Sequence, residues 1–175
     1  MLTERLDDWL PDPQVRTVHR RSARADPEAL WRAASELPLR EARTLAPLVR
    51  WRIPGTPADR TFRGLLASYP FTVLAEDEEE RWSLSGMCGR IWTLDRDYPR
   101  LEGDEAWRAW SEPGTVKVLF AHWIEGDAIV SEARVKPVDR RAALRLRAIW
   151  LAIGRWERLI GAEPLRLAAR RAERA

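Results

Sequence analysis

His122 has the widest chemical range of any side chain in this sequence, because an imidazole with an ordinary pKa of about 6.5 can donate or accept a proton at cellular pH. It lies in a strand-like run, Thr115 to Glu125, and a second such run, Ala128 to Lys136, follows directly after Gly126 and Asp127. A two-residue hairpin turn there sets Glu125 opposite Ala128 and, counting back, Phe120 opposite Ala133 and His122 opposite Ser131. Ser131 could then orient the imidazole. Two roles are open to His122: an acid-base group, which needs a second perturbed group beside it, or a hydrogen-bonded structural histidine.

The two-residue period of a strand divides this hairpin into two sides. One carries Val116, Val118, Phe120, His122 and Ile124 with Ile129, Ser131, Ala133 and Val135; the other carries Lys117, Leu119, Ala121 and Trp123 with Val130, Glu132, Arg134 and Lys136. The first is the better core face. Glu132 and Arg134 are therefore expected on the solvent side, as an ion pair worth about 0 to 1 kcal/mol. The opposite register would turn them inward as a polar anchor for a carboxylate or hydroxyl ligand.

Other chemistry is sparse. The two histidines, His19 and His122, fall on separate strands without metal-ligand spacing, and the acidic run Glu76 to Glu80 lacks the alternating ligands and turn glycine of a calcium loop. No metal and no cofactor are expected. A nucleophile elbow, a phosphate loop and a dinucleotide-binding glycine fingerprint are absent, and Gly86 to Gly89 reads as a bend between strands. Cys88 is the single cysteine, which excludes an intrachain disulfide and reads as a small buried hydrophobe. Ten tryptophans offer large apolar area with one donor each, and Trp92, Trp123, Trp150 and Trp156 are candidates to line a pocket.

The elements that must position these groups follow from the pattern. Gln14 to Ser22 reads as a first strand; Asp26, Pro27 and Glu28 open a helix to Leu37; Thr44 caps a second helix to Trp51; and Ile53 to Asp59 is a loop. Extended runs follow at Phe71 to Ala75, Arg81 to Cys88 and Gly89 to Leu94, with the acidic run as a solvated hairpin turn between the first two. The segment Gly103 to Ser111, with Trp107 and Trp110, fits a helical turn or an edge strand. A closing helix spans Pro137 to Ile160, with Leu146, Ile149, Trp150, Ile153, Trp156 and Ile160 on one side and arginines on the other.

With 175 residues, 45% hydrophobic and 33% charged, the chain reads as one globular domain, with residues 1–13 as an N-terminal extension and 164–175 as a basic C-terminal tail. The longest apolar run, Ala148 to Ile153, is far short of the roughly 20 residues that span a bilayer, so no membrane span is expected. The N-terminus does not read as a secretory signal, and the cytoplasm is the expected compartment. From Asp139 onward ten arginines face four acids, within a net charge of +3. That excess reads as the solvated side of an amphipathic helix, and nucleic acid is not an expected partner.

The order of strand, two short helices, antiparallel strands and a long closing helix resembles the helix-grip fold of the START and polyketide-cyclase-like superfamily, known as SRPBCC. Local phrases are similar to its bacterial members: Asp26 to Trp31 at the first helix, Pro113 to Val118, Ser131 to Val135, and the Trp150-containing helix. The resemblance implies an α+β fold in which a curved antiparallel sheet wraps a long C-terminal helix, with two short helices after the first strand. It further implies a cavity for a small hydrophobic ligand, lipid-, polyketide- or quinone-like. Trp92, Phe120, His122, Leu146, Trp150 and Ile153 are the residues expected to line it. Two alternatives stay open: a cyclase or dehydratase-like enzyme with His122 as acid-base and Glu132 or Arg134 as polarising group, and an interaction module whose arginine-rich C-terminus meets nucleic acid or anionic lipid.

Overall fold

The structure, a computed structural model, describes residues 2–93 and 98–175, leaving the side chains of 2–5, 153 and 155–159 undescribed. The elements run α1 (Leu2–Trp9), β1 (Val15–Ser22), α2 (Pro27–Ser35), a 3-10 turn (Leu39–Glu41), α3 (Leu45–Arg52), α4 (Phe62–Leu66), β2 (Thr72–Asp77), β3 (Trp82–Gly89), α5 (Gly103–Ala109), β4 (Val116–Glu125), β5 (Ala128–Pro137) and α6 (Arg140–Ala172). The fold is α+β. Among the described residues, five strands form one open antiparallel sheet in the order β1-β5-β4-β3-β2, with the first strand beside the last.

The β4–β5 register is the one that the two-residue turn dictates: Glu125 pairs with Ala128, His122 with Ser131 and Phe120 with Ala133. Gly126 takes φ +60°, the left-handed conformation that a two-residue hairpin turn demands. Helix α2 starts as its sequence implies, with Pro27 at the first turn and the Asp26 carboxylate accepting from the Glu28 N–H at 2.8 Å. The strand expected at Gly89 to Leu94 does not form. Gly89 ends β3 at φ +131°, with Tyr98 and Pro99 packed against it, and residues 90–93 leave in a turn; Leu94 lies outside the described residues.

Both sheet faces are covered. On one, α1 and α5 bury Leu6, Leu10 and Trp107 against Leu74, Leu84, Cys88, Leu119, Ala121, Trp123 and Val130. Leu6 and Leu10, in the stretch expected to be an extension, thus belong to the core. On the other face the apolar side chains gather in two separate clusters. One joins Val15, Met87, Val116, Val118 and Val135 to Leu146; the other joins Leu30 and Ala33 of α2 to Ile129, Leu165, Ala169 and Ala172.

Helix α6 is longer than its apolar pattern suggests and carries Pro164 in its interior. A proline there removes one backbone hydrogen bond and normally ends a helix. Here Leu165, Ala168, Ala169 and Ala172 beyond it are buried, partly against α2, and that burial offsets the loss. The expected basic tail is accordingly the last turns of a packed helix. Arg166 and Arg170 point outward, and Arg171 meets Glu41 at 3.1 Å.

Candidate functional site

The gap between the two clusters on the α6 face is a cavity of about 930 Å³, at the upper end of what ligand pockets occupy. Its floor comes from β1, β3, β4 and β5, its walls from α2, α3, α4 and α6. Phe120 and His122 of β4 and Trp150 of α6 line it, as the sequence leads one to expect, and Ile160, Gly161, Pro164 and Leu165 extend the helix wall. Leu48 and Trp51 of α3 also line it while being 44% and 55% exposed, so the cavity meets the surface beside α3.

Other expected lining residues sit elsewhere. Leu146 is buried in the cluster at one end of the cavity instead of facing it, and Trp92 packs against that same cluster with its indole Nε1 buried and lacking a protein acceptor. Trp123 packs on the opposite face of the sheet. The side chains of Ile153 and Trp156 lie outside the described residues.

Glu132 and Arg134 are not the solvent-side pair that the strand period suggests. They are neither in solvent nor in the cavity: at 1% and 2% exposure they are buried on the far face, beneath α1. Arg134 Nε donates to Glu132 Oε1 at 2.6 Å, and its Nη1 donates to Asp7 at 2.5 Å and to the Leu10 carbonyl at 3.2 Å. Arg16 adds two bonds to the Glu132 carboxylate, which raises the Arg16 pKa above its ordinary value. Lys136 donates to the Pro11 carbonyl at 2.6 Å. The strand β5 therefore clasps the N-terminal helix with its polar side. The helix itself was legible in the spacing of Leu2, Leu6, Trp9 and Leu10, a short amphipathic period masked by the acids between them.

In the cavity, Ser131 Oγ and His122 Nε2 are 3.1 Å apart. His122 is part-buried and lines the cavity, and burial pushes its imidazole down to a pKa of about 4, so it is neutral at pH 7. The strand registers extend this pair. His19 pairs with Ser131, Ser131 with His122, and His122 with Ser83, and all four side chains line the cavity. They form one polar row across β1, β5, β4 and β3, between Phe120 and Ala133 on one side and Ile124 and Ile129 on the other. The sequence pointed to two members of this row; Ser83 and His19 join it only through strand pairings distant in the chain.

Among the described residues, Arg63 is the one side chain lining the cavity, histidines aside, that carries a charge, and it is paired to Glu78 at 2.6 Å and Glu76 at 3.2 Å. On the wall opposite the sheet, the Glu163 carboxylate of α6 accepts from the N–H groups of Thr44 and Leu45 at 2.8 to 3.0 Å. It supplies the cap for α3 that the Thr44 side chain does not make. Arg52, at the far end of α3, donates to the carbonyls of Thr93 and Ile91 at 2.5 and 3.1 Å. Both ends of the helix beside the mouth are therefore fastened.

Among the described residues no group of three or more histidine, cysteine or carboxylate side chains could hold a metal ion, and no helix is long and apolar enough to cross a membrane. A comparison with protein families finds no matching model, and one with curated proteins finds no matching sequence.

Proposed function

We propose that the chain is a ligand-binding protein of the helix-grip type, similar to the START and polyketide-cyclase-like superfamily, and that it holds a small hydrophobic molecule between the sheet and α6. The observation that carries this reading is the cavity of about 930 Å³, lined mainly by apolar side chains and lying between the two apolar clusters on that face. An empty apolar space of that size forfeits dispersion contacts along its whole lining, and an apolar ligand restores them. The order of elements, with a five-stranded antiparallel sheet before a long closing helix, supports the same assignment.

Native mass spectrometry of freshly purified protein, followed by organic extraction, tests the proposal. A bound mass that is lost on extraction is the expected result. Protein that carries no bound mass and takes up no hydrocarbon dye would count against it.

A second reading, a cyclase or dehydratase-like enzyme with His122 as its base, is favoured by the 3.1 Å approach of Ser131 to His122 inside the cavity. It has lost the polarising groups first assigned to it, since Glu132 and Arg134 lie beneath α1. Turnover abolished by His122→Ala would support it, and activity unchanged by that substitution would remove the residue from any mechanism.

A further inference from the structure

We propose that the cavity selects an uncharged amphiphile, whose hydroxyl or carbonyl oxygen sits on the polar row of Ser131, His122 and Ser83 and whose hydrocarbon body lies along Val15, Val118 and Val135. The inference rests on the ligand-binding reading above and deepens it to a chemical class.

The row spans three adjacent strands of the floor, with His19 of β1 next in register, and covers about 10 Å from β5 to β3 at the usual strand spacing. Ser131 and His122 satisfy each other only in part. A hydroxyl and a neutral imidazole that share one hydrogen bond use one donor and one acceptor, so either tautomer leaves an N–H or O–H over. Ser83 brings a further hydroxyl from the other side of His122. Groups of this kind match one oxygen that both accepts and donates, or accepts alone.

The surroundings argue against a charged head group. Arg63, the charged lining residue among those described, already holds two carboxylates. The imidazole stays neutral because its environment is too apolar to hold a charge, and a ligand carboxylate placed beside it would meet the same penalty. Beyond the row the floor is aliphatic, with Val15, Val135, Val118 and Met87 in register across the same four strands.

Diphenylhexatriene, a hydrocarbon dye that fluoresces in apolar sites and makes no hydrogen bonds, reports on the cavity independently of the row. It is titrated into wild type, into Ser83→Ala/Ser131→Ala, and into Ala133→Phe, which fills the floor, after matching thermal unfolding midpoints show each protein folded. Bound dye is then displaced with 1-decanol, 2-decanone or decanoate at pH 8. The dye should bind wild type and the double variant alike, and 1-decanol and 2-decanone should displace it from wild type at about tenfold lower concentration than from the double variant. Decanoate should be the weakest competitor for wild type. Equal displacement of dye from wild type and the double variant, or decanoate matching decanol, overturns the selection of an uncharged oxygen while the bound dye leaves the cavity reading intact. Dye that fails to bind wild type, or binds Ala133→Phe as well, overturns the cavity reading and this inference with it.

Discussion

The Glu132 carboxylate and the Arg134 guanidinium lie 2.6 Å apart on one strand, both buried, with helix α1 over them and the cavity on the other side of the sheet. Their outer partners, Arg16 and Asp7, are about half and two-thirds exposed. The network therefore joins a buried pair to charges that water can still reach, and its role is to hold the N-terminal helix. Removing one member leaves the other buried without its counter-charge, so Glu132→Ala should cost about 3 to 5 kcal/mol in urea unfolding. Glu132→Leu with Arg134→Met should cost much less, because Arg16 and Asp7 can return to solvent. A double variant as unstable as the single one would show that the pair contributes more than compensation of its own burial.

Gly86 makes a close approach in the core beneath α1 and α5. A Cβ at that position would meet Trp107 Nε1 at 2.5 Å and Leu74 at 2.8 Å, and Trp107 is fully buried and has no room to swing away. Gly86→Ala should destabilise the fold by about 1 to 3 kcal/mol, the usual cost of overpacking. Thermal unfolding measures this directly, and an unchanged midpoint would mean that α5 moves off the sheet at little cost.

Stability should depend on pH through His122. Burial holds its folded-state pKa at about 4, whereas in the unfolded chain the imidazole takes up its proton at about 6.5. Between these values the unfolded state binds more protons, so stability rises with pH across the window and is lost as pH falls through it. The contribution is fully present above the unfolded value, and its loss by pH 4 is on the order of 3 kcal/mol. Urea midpoints for wild type and His122→Phe between pH 4 and 7 should diverge, with the variant less sensitive. Parallel curves would exclude His122 as the titrating group.

Cys88 should be inert in the native protein. Its thiol faces the α5 side of the sheet at 1% exposure, and burial pushes its pKa up to about 12 despite the opposing effect of Lys117. Because the thiolate is the reactive form, a disulfide-exchange reagent at pH 8 should label it only after denaturation. Rapid labelling of folded protein would place Cys88 within reach of solvent.

Leu165 tests the end of α6. It lies one residue after Pro164, packs in the cluster with α2 and lines the cavity. Leu165→Ala should cost about 2 to 3 kcal/mol, as for other buried leucines. The same change in an unpacked tail would be neutral in chemical denaturation.

Much of the cavity floor was legible in the residues themselves. The Gly126-Asp127 turn and the two-residue period determined the β4–β5 register, the pairing of His122 with Ser131, and the division of the hairpin into two sides. Asp26 and Pro27 likewise marked the start of α2, and Leu146, Trp150 and Ile160 marked the inner side of α6. These are local signals, written over a few residues. What covers each side is not local, and for that reason Glu132 and Arg134 read as a surface pair until α1 closed over them through contacts more than a hundred residues apart in sequence. The closing helix was expected to end at Ile160 for a similar reason, since the burial that carries it on through Pro164 comes from α2. The cavity belongs to this second class: alternation sorts side chains between two faces, but only the packing of separate elements decides whether the space above a face is filled or left open.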